Sequence, residues 1–227
     1  MNEIVVGCRK YISEVLTKKI ELADYIDEST ILFNSYENDE VWDLLVLLDD
    51  ELFESKFVHL HGEHFVVDDH DHKPVVFTRI KSYRWLRKDF AKRLPTALWI
   101  FQNATVLQEG RGLFRQIISE QEEEFRQKLV TIIKRKYLEL RSDRHNLRYS
   151  VLRLGDMANT LLKANIVKLS LELSLLADGK PYPFRILLPN YARNNTTNGN
   201  EIFLLLNEFL TTVDPKRTIS LSDELIK

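Results

Sequence analysis

The chain has 227 residues, of which 32 are Lys or Arg and 34 are Asp or Glu, so its formal net charge is -2. A nearly neutral chain shows no overall charge that would favour binding to nucleic acid or to an anionic membrane surface. Its hydrophobic content of 44% and charged content of 29% are typical of a folded globular protein and argue against disorder over most of its length. At this length, two unequal domains or one large domain are expected.

Three further features of the sequence exclude broad classes of protein. Cys8 is the single cysteine, which excludes an internal disulfide and favours a reducing compartment. The N-terminal apolar run is too short for a secretory signal, and an acidic residue stands before it, too near the N-terminus for such a signal. No run approaches the ~20 apolar residues of a membrane-spanning helix. Neither a GxGxxG nor a GxxxxGK[ST] pattern occurs, which excludes ordinary Rossmann and P-loop enzymes. We therefore expect a cytoplasmic protein with no membrane partner.

The first part of the chain combines one helix with several short strands. From Arg9 to Ala23 the apolar residues recur at three- and four-residue steps, which predicts an amphipathic helix. Short apolar runs separated by polar clusters then predict strands, over residues 30–33, 42–48, 57–60, 64–67 and 74–78. The polar segment 68–73 predicts a hairpin loop, so the two strands beside it are expected to pair antiparallel.

A second helix and further extended segments complete this part. A helix is predicted over residues 82–93, with Ser82 as its N-terminal cap and Pro95 as the residue that ends it. Residues 97–101 and 105–107 are predicted to be extended, and Glu109 to Gly112 to form a turn.

Beyond Gly112 the apolar pattern is helical almost throughout. One apolar stripe runs from Phe114 to Tyr137 and predicts a long helix. The polar segment Arg141 to Arg148 is interpreted as the connection to a second long helix, whose stripe runs from Leu147 to Leu176. That helix is predicted to stop at Asp178-Gly179.

The C-terminal segments define the predicted fold class. Residues 193–200 have the composition of an exposed loop, and residues 201–213 predict a third helix. The sequence thus predicts an α+β protein: an N-terminal mixed-sheet domain over residues 1–111, followed by an antiparallel helical-bundle domain over residues 112–227.

Four motifs follow one another in this order of elements. Asn34-Ser35 precedes the apolar run Trp42–Leu48 that contains Asp43, residues 97–107 lead into Gly112, and Gly179–Phe184 carries Pro-Tyr-Pro. Their order and spacing resemble the Gly-Ser turn, the Asp-x-Asp strand, the closing strand-to-helix passage and the Pro-Tyr-Pro segment of two-domain nucleotidyltransferases. These belong to the DNA polymerase β superfamily, in particular its aminoglycoside and lincosamide types. The resemblance covers most of the chain and implies their fold.

The resemblance also implies a metal site, which this sequence leaves incomplete. Nucleotidyl transfer needs Mg²⁺ held by carboxylates and bridged to the substrate phosphates. Two acids at i and i+2 on a strand share a face, but the neighbours of Asp43 at this spacing are Val41 and Leu45. The strand 74–78 has no carboxylate for the third position, and Asn34 replaces the glycine that admits phosphate. We therefore expect a retained fold with lost catalysis, Asp43 being a vestigial catalytic residue.

Two functions follow from the resemblance. The first is binding without catalysis, either of a nucleotide through Asn34, Ser35, Lys81 and Arg84, or of a partner protein or second copy through the helical domain. The alternative is an active enzyme that uses Mg²⁺ to transfer a nucleotide to a hydroxyl of a small molecule. In that case Asp43 would need other acids as co-ligands, such as Glu40, Asp49 or Asp50. No cofactor is expected for the first function.

Two local patterns suggest other chemistry. Five of the six histidines lie between His59 and His72, and His59 with His61 would share one face of the predicted strand, where they could bind Zn²⁺ or Mn²⁺. This gives a third hypothesis, a metal-binding protein. The helix over residues 82–93 is strongly basic, but its apolar side predicts packing on the sheet with a solvated outer face, so nucleic acid is not an expected partner.

Overall fold

The computed structural model describes residues 3–19, 22–34, 41–60, 67–69, 75–153 and 156–225. The chain divides into two compact units, Met1–Glu122 and Glu123–Lys227. The first contains a mixed five-stranded sheet with helices and the second is helical, which confirms the predicted α+β class. The division into independent domains at residue 112 stays a prediction. None of the described helices combines the length and the apolar character that crossing a membrane would need.

The sheet of the first unit has its most apolar strand at the centre. Its strands are β1 Thr30–Asn34, β2 Val41–Leu48, β3 Val67–Asp69, β4 Val75–Ser82 and β5 Thr105–Glu109. Their order is β3-β4-β2-β1-β5, with β2 and β4 parallel and the other pairs antiparallel. The central position of β2 and the antiparallel pairing of β3 with β4 confirm the predictions from their sequences. Residues 61–66 and 70–74, which include most of the predicted hairpin, lie outside the described residues.

One face of β2 builds the core of this unit. Trp42, Leu44, Val46 and Leu48 alternate along the strand and pack in one cluster with helix α1 (Glu3–Tyr11). A Cβ on Gly7 of α1 would lie 2.7 Å from the Trp42 ring, so only glycine lets the helix approach this closely. The predicted first helix is thus confirmed, although it begins earlier and continues as a π-helical turn, Ile12–Leu16, and the short α2, Thr17–Lys19.

The predicted strand over residues 57–60 is wrong. After β2 the chain forms α3 (Asp50–Leu52), a π-helical segment Phe53–Phe57 and a 3₁₀ turn Val58–Leu60. Phe53 and Phe57 are both buried in the core, and their i, i+4 spacing places them on one side of this helical segment. A short apolar run does not by itself distinguish the two.

Helix α4 (Tyr83–Gln102) extends beyond its predicted end. Ser82 caps it as predicted, because its hydroxyl accepts a 3.2 Å hydrogen bond from the Trp85 N–H. The backbone leaves helical geometry at Arg93 (φ -144°, ψ 48°) and resumes a helix that contains Pro95, near its start, where a missing N–H is tolerated. The predicted strand over residues 97–101 is therefore wrong: all five residues are buried in this second helical segment. β5 confirms the extended segment after it.

The second unit contains most of the long helix α5 (Leu113–Arg153), followed by α6 (Asp156–Ala177), α7 (Leu188–Asn195), α8 (Gly199–Thr211) and α9 (Pro215–Glu224). The predicted connection at residues 141–148 is wrong, since these residues continue α5. Arg144 and Arg148 both bind the Asp223 carboxylate of α9, at 3.3 and 2.7 Å. The charges that suggested a connection therefore pair with a helix that the sequence pattern did not reveal.

The end of α6 was predicted correctly. Gly179 has φ +71°, and the N–H groups of Gly179 and Lys180 donate to the carbonyls of Leu176 and Leu175 at 3.0 and 2.9 Å, a Schellman motif. The third predicted helix is confirmed as α8. The predicted loop 193–200 is wrong over residues 193–195, which end α7, and over residues 199–200, which begin α8. Neither α7 nor α9 was predicted.

The burial of Cys8 leads to a pH-dependent stability. Burial raises the pKa of its thiol to about 12 from an ordinary 9.0. The thiol binds its proton more tightly in the folded state than in the unfolded state. The resulting contribution to the free energy of unfolding is complete below pH 9 and is lost as the pH rises from 9 to about 12. We expect the free energy of unfolding to fall by up to about 1.4 kcal/mol per pH unit in this window.

Urea unfolding of the native chain and of Cys8→Ala at several pH values measures this effect. The variant should have a shallower alkaline slope whatever its own stability. Equal slopes would contradict the assignment of the slope to Cys8.

Candidate functional site

Several of the predicted site residues lie on the sheet face opposite the core. Asn34 is the cross-strand partner of Asp43, and on the parallel side Asp43, Leu45 and Leu47 face Phe77, Arg79 and Lys81. Side chains alternate along a strand, so one set of residues shares this side of the sheet. We call it the Asp43 face: Asn34, Asp43, Phe77, Arg79 and Lys81.

The centre of this face is an ion pair. Nη2 of Arg79 donates to both carboxylate oxygens of Asp43, at 3.0 and 2.8 Å. The two side chains are 17% and 20% exposed, so water screens their attraction only in part. Nε of Arg79 is buried and has no hydrogen-bond partner among the described residues. Strand β4, which would supply a third carboxylate in the resembling enzymes, supplies a cation here.

Burial changes along the Asp43 face. Val41 at the start of β2 is exposed and Phe77 is half-buried, whereas Leu45 and Leu47 are fully buried. At the far end, the Tyr83 hydroxyl of α4 lies 2.6 Å from the Thr30 hydroxyl, and burial raises the pKa of Tyr83. The face is thus accessible to solvent near the start of β2, where Asp43 lies, and the guanidinium of Arg79 reaches this region from the middle of β4.

The described residues of this face do not fit a Mg²⁺ site. Mg²⁺ requires near-octahedral oxygen ligands with carboxylates among them, and Asp43 is the one carboxylate among the five residues of the face. No group of three His, Cys, Asp or Glu within the described parts of the chain could hold a metal ion. The incomplete metal site expected from the sequence stays a prediction.

The acids proposed as co-ligands of Asp43 have other roles or lie outside the described residues. Asp49 caps α3 through the Glu51 N–H at 3.0 Å, and Asp50 accepts from the Arg84 N–H at 2.7 Å. Both follow the end of β2, more than about 15 Å along the strand from Asp43. They cannot share a metal ion with it. Glu40 lies outside the described residues.

Arg84 is not part of the Asp43 face. Its guanidinium lies 3.9 Å from Asp50 and 3.5 Å from Glu54, and it is 57% exposed. Asn34 and Lys81 are brought to one face with Asp43, as the nucleotide-binding hypothesis needs, whereas Arg84 is engaged by acids near α3. Ser35, the fourth residue of that hypothesis, lies outside the described residues.

The histidine hypothesis is only partly described by the structure. His59 is exposed in the 3₁₀ turn Val58–Leu60, so the strand face that it was to share with His61 is not formed there. His61 lies outside the described residues, and the metal site itself stays a prediction.

Sequence reasoning missed Arg79 and Phe77. The predicted strand ended at Thr78, one residue before Arg79, whereas β4 continues to Ser82. Alternation continued along 75–82 would have placed positions 77, 79 and 81 on one face, but which strand they lie beside depends on a parallel pairing of distant segments.

The second unit contains an ionic cluster made of Lys136, Lys168, Glu172 and Tyr182, which we call the Glu172 cluster. The Glu172 carboxylate lies 2.6 Å from the Lys136 ammonium and 3.6 Å from that of Lys168. Burial alone would lower the pKa of Lys136, but the hydrogen bond and charge of Glu172 outweigh it, and the pKa is raised. Burial, followed by the charge of Glu172, raises the pKa of Tyr182. The Pro-Tyr-Pro segment is thus held against α5 and α6 by its tyrosine.

The chain matches no protein-family model and no curated protein sequence. A solved structure is similar in fold: a nucleotidyltransferase-like protein from Exiguobacterium sibiricum 255-15, with a TM-score of 0.52 over 92% of this chain and 73% of that chain. The fold is nucleotidyltransferase-like. At 14% identity the similarity concerns the fold alone, so membership of the aminoglycoside or lincosamide type stays a prediction.

The ion pair of this nucleotidyltransferase-like fold should couple its two residues energetically. We expect Asp43→Asn and Arg79→Met each to destabilise the protein, and the double variant to lose less than their sum. The coupling energy should be about 1–3 kcal/mol, because removing one partner leaves the other as a largely buried, unpaired charge. Urea unfolding of the four proteins measures it.

The exposed pair Glu28–Arg111, with both side chains 51% exposed, is a matched control. The cycle with Glu28→Gln and Arg111→Met should give a coupling of less than about 1 kcal/mol. Additive effects at Asp43 and Arg79 would refute the pairing.

Proposed function

We propose that this protein uses a nucleotidyltransferase-like fold to bind a nucleotide through its phosphates, without catalysing metal-dependent transfer. The single observation that supports this best is the Asp43–Arg79 ion pair. It combines one remaining carboxylate with a fixed cation at a position where a catalytic site needs further carboxylates.

The chemistry of phosphate explains why a cation in place of further carboxylates favours binding over transfer. In a metal-dependent transferase, the metal ion neutralises the phosphates and links them to the carboxylates. A guanidinium also neutralises phosphate, through charge-assisted hydrogen bonds that need no metal. It cannot activate an attacking hydroxyl in the way that a metal site does. Arg79 can therefore replace the binding role of the metal without its catalytic role.

The neighbours of Arg79 suit the rest of a nucleotide. Lys81 lies two residues further along β4 on the same face, about 7 Å away. It is buried, so its positive charge adds to that of Arg79 from below the accessible surface. Phe77 lies on the other side of Arg79, half-buried, and an aromatic ring can stack on a nucleobase. The carboxylate of Asp43 opposes binding, because it competes with phosphate for the guanidinium.

Calorimetric titration of ATP and GTP, with and without Mg²⁺, tests this proposal. We expect dissociation constants of about 0.1–1 mM that hardly change when Mg²⁺ is removed. Arg79→Met should weaken binding at least about tenfold, a loss of ~1.4 kcal/mol. Asp43→Asn should strengthen it, since the competing carboxylate is gone. Arg84→Met, which alters a cation bound near α3, is the matched control and should leave the affinity unchanged.

An active enzyme would give the opposite results. Binding would then depend strongly on Mg²⁺, and labelled nucleotide would be transferred to an aminoglycoside or lincosamide acceptor in a reaction that Asp43→Asn abolishes. Either result, or no binding under any condition, would refute the proposal.

A second candidate function is protein binding by the second unit. Helix α5 has one stripe of exposed apolar side chains: Val130, Tyr137, Leu138, Tyr149 and Leu152, which are 38–70% exposed. At about 100° per residue these positions fall within roughly a third of the helix circumference. A second copy of the chain is the simplest partner. Sedimentation equilibrium should then show a dimer that Leu138→Glu separates, and a monomer at all concentrations would exclude it.

A further inference from the structure

A cavity of about 390 Å³ lies within the second unit. It is lined by residues of α5, α6 and α9 and of the end of α8, all of them beyond Glu123. Its volume falls in the range of small-ligand sites, about 300–1,000 Å³. Neither the Asp43 face nor the Glu172 cluster contributes to it.

One cation lines this cavity. The Lys163 ammonium donates a 2.6 Å hydrogen bond to the Thr212 carbonyl and lies 5.5 Å from the centre of the Phe209 ring. Neither group carries a full negative charge, and the described lining residues include no carboxylate. Burial lowers the pKa of Lys163, as expected of an ammonium that has exchanged part of its water for neutral partners.

An unused hydrogen-bond acceptor lies one helical turn away. Asn159 precedes Lys163 by four residues on α6, so their side chains lie on the same side of the helix, about 5–6 Å apart at Cβ. Oδ1 of Asn159 is buried and, within the described part of the chain, has no hydrogen-bond partner. Buried polar groups are normally paired, so this oxygen is open to a donor on a ligand.

The remaining walls are mainly apolar. Val151 of α5, Ala164 of α6 and Pro215 of α9 line the cavity, as do Leu210 and Val213, which are 46% and 94% exposed. Ligand sites typically combine apolar walls with a few polar groups that fix the orientation. A ligand here would place its apolar part against these side chains.

We infer that this cavity binds a small organic monocarboxylate that carries a hydroxyl and an apolar group. The carboxylate pairs with Lys163, the hydroxyl donates to Asn159, and the apolar group contacts Val151 and Leu210. A single cation favours a monoanion over the dianion of a phosphate ester. The inference is independent of nucleotide binding, because it concerns the other unit of the chain.

Methyl NMR titration of the full chain with 3-phenyllactate tests the inference. We expect shifts of the Val151, Leu210 and Val213 methyl groups, with binding at least about tenfold tighter than that of 3-phenyllactamide, which lacks the charge. The same probe without its hydroxyl, 3-phenylpropanoate, should bind several-fold more weakly. Asn159→Leu should remove that difference while retaining the preference for the carboxylate.

Variants of the two lysines of α6 separate the role of Lys163 from general charge. Lys163→Met should abolish binding, whereas Lys168→Met, which removes a cation of the Glu172 cluster, should leave it unchanged. If Lys163→Met does not fold, the comparison of acid with amide on the native chain decides. No methyl shifts, equal binding of acid and amide, or equally strong binding of inorganic phosphate at this cavity would each overturn the inference.

Discussion

The register of β2 against β4 decides which residues of the first unit meet the core and which can meet a ligand. Because side chains alternate, this register places Trp42 and Leu44 on the α1 side and Asp43 with Arg79 on the other. A slip of β2 by one residue would bring the Asp43 carboxylate into the core and remove Trp42 from it. Burial of the apolar side chains of β2 thus fixes the position of the Asp43–Arg79 ion pair. The packing of the core therefore determines where the candidate site lies.

The same ion pair stabilises the protein and lowers its affinity for phosphate. A carboxylate and a guanidinium that are both about four-fifths buried stabilise each other, and removing one leaves the other poorly solvated. A phosphate ligand must therefore replace Asp43 as the partner of Arg79, and the affinity is reduced by the energy of the existing pair. The arrangement suits weak, reversible binding. In a catalytic site, a soluble metal ion would instead enter together with its nucleotide and leave the protein carboxylates in place.

Local patterns in the sequence predicted the elements whose structure is decided locally. The apolar run of β2, the serine cap of α4 and the glycine stop of α6 all specify their own conformation. The failures have distant causes. Residues 97–101 are buried on all sides, so their helical period was hidden, and residues 141–148 looked like a connection because their counter-charge is on α9. Arg79 was missed for the same reason: its partner lies 36 residues away in the sequence.

The close approach of α1 to Trp42 makes the accessibility of the Cys8 thiol depend on whether the helix is packed on the sheet. Gly7 determines how near the helix can lie, and Cys8, the next residue, is completely buried as long as that distance is kept. Reactivity of a thiol depends on access and on the thiolate fraction, and both stay low while the helix is docked. Any event that lifts α1 from the sheet exposes the single thiol of the chain. Labelling of Cys8 therefore measures the opening of this helix, because the chain has no other thiol that could react.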